Sequence, residues 1–195
     1  MHKQPKYRSG FTLIELMVTI AIASIVLGIA IPSFTETIAN NRLTTHANEL
    51  VTALNLARSE AIKRGVQVII NRKGAIGQQW ESGWDVFVDN DNSNTFNNVD
   101  IDGDGILCEG GEDCLLKTYD ALPNGYTLRT GGNYTCWVAY RANGVSRGSG
   151  PACNGGLAND TFTLCSSSGA TMPQRRIIIS TTGRAMVNAT PGNCP

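Results

Sequence analysis

The stretch Gly10-Phe11-Thr12-Leu13-Ile14-Glu15-Leu16-Met17-Val18-Thr19-Ile20 decides how this chain is read. It opens an apolar run from Leu13 to Ile31 in which Glu15 is the only charge. A run of that length matches a membrane-crossing helix of ~20 residues. Ahead of it, Met1–Gly10 carries Lys3, Lys6 and Arg8 and no acid. Cations before an apolar segment hold the N-terminus in the cytoplasm. A secretory signal has a shorter apolar core and a small-x-small cleavage site, which Ile31-Pro32-Ser33-Phe34 does not supply. A carboxylate inside a membrane helix is costly and marks function. A cut between Gly10 and Phe11 would free an α-amino group about one helical turn from Glu15. The two charges could then neutralise each other within one chain or between neighbours.

Composition narrows the class. The chain has 195 residues, 42% of them hydrophobic and 16% charged, with Lys+Arg and Asp+Glu equal at 16. That suits one domain plus an appendage and excludes a disordered chain or a strongly basic nucleic-acid binder. Loss of the three leader cations leaves 13 bases against 16 acids. No phosphate-cradling G-x-x-x-x-G-K occurs, which argues against an assembly ATPase. The 2 His and the Ser59-Glu60 pair suggest no catalytic triad, so an enzyme is not expected.

Helical spacing continues beyond Pro32. Leu43, Ala47, Leu50, Leu54, Ala57 and Ala61 form one apolar stripe. Lys63 and Arg64 complement the helix dipole, and Gly65 stops the helix. Helix throughout from Phe11 to Arg64 would give a spine of ~80 Å. Strand patterns follow at Val66–Ile70, Trp84–Val88, Leu115–Tyr119, Tyr126–Arg129, Thr135–Arg141, Thr161–Cys165, Arg176–Ser180 and Arg184–Val187. The expected class is α+β, with a long N-terminal helix packed on an antiparallel sheet. The expected segments are a leader (1–10), a membrane or filament-core helix (11–34), its amphipathic continuation (35–64) and a head (65–195).

All 6 cysteines, Cys108, Cys114, Cys136, Cys153, Cys165 and Cys194, fall in the head. An even count outside the cytoplasm reads as three disulfides. The closest pair, Cys108 and Cys114, lacks zinc-ligand spacing and is the best candidate for a short bridged loop. Cys194 would staple the C-terminus through Cys136, Cys153 or Cys165.

Two charge biases remain. From Glu81 to Asp120 there are 11 acids and one base, Lys117. Within it, Asp100, Asp102, Asp104 and Gly105 match the opening of a calcium loop, but the closing Glu is out of register. A polar turn is the preferred reading, with calcium the rival, to which nearby Asp89-Asn90-Asp91 could supply further oxygens, and no other cofactor expected. From Arg129 to Arg184 six Arg face one acid, Asp160. Arg175, Arg176 and Arg184 are the candidate phosphate contacts there. Tyr134, Trp137 and Tyr140 could stack on bases, but strand-spaced aromatics more often fill a core.

The string Gly10-Phe11-Thr12-Leu13-Ile14-Glu15, with its basic leader and apolar run, resembles the prepilin signal of type IV pilins and type II secretion pseudopilins. Ala57-Arg58-Ser59-Glu60-Ala61-Ile62-Lys63-Arg64 resembles the matching segment of the GspH/FimT/FimU branch. The resemblance implies that a prepilin peptidase cuts after Gly10 and N-methylates Phe11, and that Pro32 kinks the helix. It implies that Glu15 pairs with the Phe11 amine of a neighbour during assembly. The chain would wait in the inner membrane with its head periplasmic, then enter an extracellular pilus. Its partners would be other minor pilins, the major pilin and the inner-membrane assembly machinery. The competence pilin of the branch carries a C-terminal G-R-x-R string associated with DNA binding. Here Gly183-Arg184-Ala185-Met186 keeps only the first Arg, so a minor pilin is favoured over a DNA-uptake pilin. A minor pseudopilin of type II secretion is the further alternative.

Overall fold

The computed structural model describes residues 10–97, 100, 108, 111–156, 159–166, 174–190 and 194. The chain divides into two compact units, Met1–Ala39 and Asn40–Pro195. Helix α1 (Leu13–Arg64) contributes to both.

In the first unit, Leu13–Ile31 has mean hydropathy 2.5 and no buried share. Its hydroxyls are satisfied on the helix itself. Thr19 Oγ1 donates to Leu16 O (2.9 Å) and Ser24 Oγ to Ile20 O (2.7 Å). That leaves neither hydroxyl unpaired in an apolar medium.

In the second unit, every stripe residue from Leu43 to Ala61 is buried, with Ala53 beside them. Alanines alternate with leucines along this face, which lets sheet side chains approach the helix closely. The helix ends where anticipated. Gly65 has φ +72° and its N–H reaches Ala61 O at 2.9 Å, a left-handed stop that glycine adopts without a Cβ penalty.

Nine strands follow among the described residues: β1 (Gln67–Arg72), β2 (Trp84–Asp89), β3 (Cys114–Tyr119), β4 (Tyr126–Thr130), β5 (Trp137–Tyr140), β6 (Ser146–Gly148), β7 (Asp160–Ser166), β8 (Gln174–Ile179) and β9 (Ala185–Thr190). They form two antiparallel sheets, β3-β2-β1-β5-β6 and β4-β7-β8-β9. The sequence anticipates eight of the nine. It misses β6, whose Ser146-Arg147-Gly148 is too short to show a period. It overextends β5, because Gly132–Tyr134 forms a 3-10 turn and Thr135 stays helical at φ −58°, ψ −41°.

Strand β1 is central and buried on both faces. Val68 and Ile70 join the main core under α1 with Trp80, Phe162 and Ile177. Ile69 points the other way, onto Phe87, Trp137 and Ala139. Period-2 alternation therefore gives the head a main core and a small second one. Three disulfides close the unit: Cys108–Cys114, Cys136–Cys153 and Cys165–Cys194. The short loop is bridged as expected, and Cys194 staples the C-terminus to β7 through Cys165.

Candidate functional site

The N-terminal signal forms a capping box. Thr12 N and Thr12 Oγ1 each donate to Glu15 Oε2 at 2.9 Å, and Glu15 N donates to Thr12 Oγ1 at 3.3 Å. This reciprocal pattern satisfies free N–H groups at a helix start and places the carboxylate at the positive end of the dipole. Phe11, next to Thr12, is 86% exposed, and Gly10 is exposed as well. The expected cleavage position is thus an exposed segment leading into the capped helix start.

The two other strings singled out in the sequence meet at one corner of the head. Arg58 Nε donates to Gly144 O (3.1 Å) and Arg58 Nη2 to Thr182 O (3.2 Å). Gly183, at φ +80°, has no room for a side chain: a Cβ would lie 2.3 Å from Gly144 O and 2.9 Å from Tyr140 Cε1. Arg58 therefore ties α1 to the β5–β6 and β8–β9 turns, and Gly183 lets those turns close. Burial pushes the Tyr140 phenol above its usual range at this corner. Arg58 is not one of the apolar stripe residues, so helical spacing assigns it no contact. The corner joins residues 86 and 124 positions apart, so no local pattern could show it.

The arginines divide among several places on the head. Arg175 and Arg176 are neighbours in β8 and point to opposite faces. Arg175 faces inward, where Nη2 donates to Thr44 Oγ1 on α1 at 3.3 Å. Arg176 and Arg184 are exposed. Arg129 is paired with Glu81. Arg141 and Arg147 line a cleft of about 400 Å³ together with Asp89 and Gln67. Tyr134, Trp137 and Tyr140 are buried and offer no stacking surface. His46 is half-buried, with Nδ1 3.0 Å from Glu49 Oε2 and its ring edge-on to Tyr126.

In the acidic stretch, Asp102 and Asp104 lie outside the described residues. A different trio comes together: one carboxylate oxygen each from Asp89, Asp91 and Asp113 lies within 4.8 Å of the others. Backbone and side-chain amide donors already occupy them. Asp89 accepts from Ser93 N (3.1 Å) and from Gln67 Nε2 (2.6 Å), and Asp91 accepts from Ser93 N (2.8 Å). Asp113 accepts from Asn90 N (3.0 Å) and Asn97 N (3.1 Å). The trio ties the loop after β2 to the start of β3. Burial raises the Asp89 carboxyl above its usual range. The Ser93 N–H lowers Asp91 to about 2.

Comparison with known proteins agrees with this anatomy. The family described as Type II transport protein GspH matches residues 46–183, more than half of the chain. The chain belongs to the GspH family. The prokaryotic N-terminal methylation motif matches residues 5–31 of this GspH-family protein. Two curated Pseudomonas aeruginosa relatives, each named "Fimbrial protein", are 41% identical over 64 residues, 33% of this chain. The match spans only 41% of their length. A crystal structure of the Pseudomonas aeruginosa type IV minor pilin FimU in space group P21 is 23% identical, with a TM-score of 0.50 over 78% of this chain and 91% of that one. The P65 form gives 21%, 0.49, 74% and 91%. The likeness to FimU is one of fold. The GspH-family chain therefore has a minor-pilin-like architecture behind a methylation motif.

Proposed function

We propose that this chain is a minor pilin of a type IV pilus that acts in pilus assembly and initiation near the tip. The observation that carries the reading is the union of a methylation motif at 5–31 with a GspH-family head at 46–183. A prepilin peptidase cuts between Gly10 and Phe11 and N-methylates Phe11. Before assembly the apolar helix holds the subunit in the inner membrane, N-terminus cytoplasmic and head periplasmic. During assembly it packs against the helices of other minor pilins and the major pilin. Thr12 positions the Glu15 carboxylate to meet the Phe11 amine of its own chain or of a neighbour, because an unpaired charge is costly in an apolar filament core.

The test is complementation of a deletion strain with mass spectrometry of the subunit. The wild-type chain should restore pili and begin at N-methyl-Phe11. Glu15→Val should be cut normally yet be lost from the pilus fraction. A functional uncut chain, or Glu15→Val present in pili at wild-type levels, would sink the reading. The family description itself favours a second reading, a minor pseudopilin of type II secretion. Lost secretion with intact pili would establish that one instead. Exposed Arg176 and Arg184 leave DNA as a further ligand, testable by duplex titration at two salt concentrations.

A further inference from the structure

The three disulfides sit in different electrostatic surroundings. In Cys108–Cys114 the buried sulfur is on Cys114, next in sequence to the buried acids Glu112 and Asp113. In Cys165–Cys194 it is on Cys165, enclosed in β7 between buried Leu164 and Ser166. Cys136–Cys153 alone, among the described residues, has a cation donating to sulfur: Arg72 Nη2 reaches Cys136 Sγ at 3.7 Å. The guanidinium is clamped for that contact, because Nε donates to Thr135 O at 2.9 Å and Nη1 donates to Gly74 O. Arg72, Cys136 and Cys153 line one cleft of about 280 Å³, and Arg72 is the one charged group among its described lining residues. Reactive cysteines occupy electropositive, partly exposed surroundings of this kind, whereas enclosed structural ones are inert.

The two sulfurs of this pair are not equivalent. Cys136 packs against the small second core of Ile69, Phe87 and Trp137. Cys153 sits in a turn at φ +62°, between exposed Ala152 and Asn154. An incoming thiol therefore meets Cys153 first. Exchange is fastest when the departing sulfur is well stabilised as a thiolate, and a guanidinium is a permanent positive charge. We propose that Cys136–Cys153 is a reversible thiol–disulfide exchange site for a protein dithiol, attacked at Cys153, with Cys136 leaving toward Arg72. The attacking thiolate bonds to Cys153 Sγ as the Cys136–Cys153 bond breaks, and that bond's electron pair stays on Cys136, where Arg72 donates to it. The second thiolate of the dithiol then displaces Cys153 and closes the partner's own disulfide. The dithiol's two protons go to water, and the two released cysteines draw two from it. Two electrons pass from the dithiol to this chain.

Hydrogen bonds that survive reduction make the site reversible. Cys136 N donates to Ser149 Oγ at 2.9 Å, Ser149 N to Trp137 O at 3.2 Å and Gly150 N to Asn133 O at 3.0 Å. These hold the Cys153 turn against the start of β5 without the S–S bond. Reclosure across the 17-position span therefore orders little new chain. The inference goes beyond the pilus reading and does not depend on it.

The test uses the full chain in detergent micelles, with all three disulfides closed. Dithiothreitol is added at limiting concentration, free thiols are trapped with N-ethylmaleimide, and the labelled peptides are mapped by mass spectrometry. Cys136 and Cys153 should open at least about tenfold faster than either other pair. Glutathione, as a monothiol probe, should be trapped on Cys153 and leave Cys136 free to be labelled. Arg72→Gln should slow this pair at least about threefold and leave the other two rates unchanged, which also reports an intact head. Arg72→Lys keeps a charge and should restore part of the rate. Three pairs that open at equal rates, or glutathione trapped on Cys136, would overturn the proposal, and both results come from the wild-type chain alone. So would an Arg72→Gln chain with a wild-type melting temperature whose Cys136–Cys153 pair opens at the wild-type rate.

Discussion

Replacing Gly183 by Ala tests whether the glycine beside Arg184 is there for packing or for a ligand. At φ +80° an Ala pays for left-handed backbone, about 1–2 kcal/mol. Its Cβ also meets Gly144 O at 2.3 Å, a backbone atom held by Arg58 and unable to rotate away. Overpacking of that kind costs a further ~1–3 kcal/mol. Gly65→Ala supplies the control, because Gly65 has a similar φ of +72° with nothing within 4 Å of a Cβ. The backbone contribution is common to both variants, so their difference isolates the crowding. Taking ~2 kcal/mol for the contact, Gly183→Ala should melt roughly 4–8 °C below Gly65→Ala. The assay is thermal unfolding followed by circular dichroism, with disulfides oxidised. Equal shifts for the two variants would refute the account of the corner. In the expected outcome, a loss of DNA affinity in Gly183→Ala would report a distorted turn and not a lost contact.

Arg58→Ala should cost about 2 kcal/mol in a chemical-denaturation curve, because two guanidinium hydrogen bonds to turn carbonyls are lost. Arg58→Lys should rescue only part of this, since one ammonium cannot span both oxygens as the guanidinium does. Paired serine replacement of Cys165 and Cys194, 29 positions apart, should destabilise by about 4 kcal/mol, and that of Cys108 and Cys114, 6 apart, by only about 2. An equal loss in the two denaturation curves would contradict loop length as the governing quantity. The Asp91 carboxyl is lowered in the folded state, so its contribution is present above its ordinary value of 3.8 and lost as pH falls toward about 2. Asp91→Asn should flatten the stability–pH profile across that window, measured by melting at successive pH values.

The first helix and most strands were legible because their signals are local. Apolar spacing of three and four marked the stripe that the head buries, and a glycine after two cations marked its end. The methylation motif was equally plain, since a Glu behind a basic leader breaks the logic of a simple anchor. The Asp-rich candidate was read from a local motif, Asp100 to Gly105, of which Asp102 and Asp104 lie outside the described residues; among the described residues, carboxylates of the nearby Asp89 and Asp91 come together with Asp113. Asp113 follows the loop and Asp89 precedes it, and only the β2–β3 pairing brings them together. Arg175 and Arg176 part company for a similar reason. Adjacent strand residues face opposite sides, so Arg175 turns inward to Thr44 while Arg176 stays exposed.

By itself the sequence determined the membrane-length helix, the signal at Gly10-Phe11 and Glu15, the amphipathic continuation and the disulfide-bearing antiparallel head. Each of these follows from residue type and short-range period. Tertiary structure alone decided the division into two sheets, the partners of Cys136 and Cys194, and the corner where Arg58 meets Gly144 and Thr182. Those depend on strand order and register. Both are set by how the whole core packs, which residues adjacent in sequence do not encode.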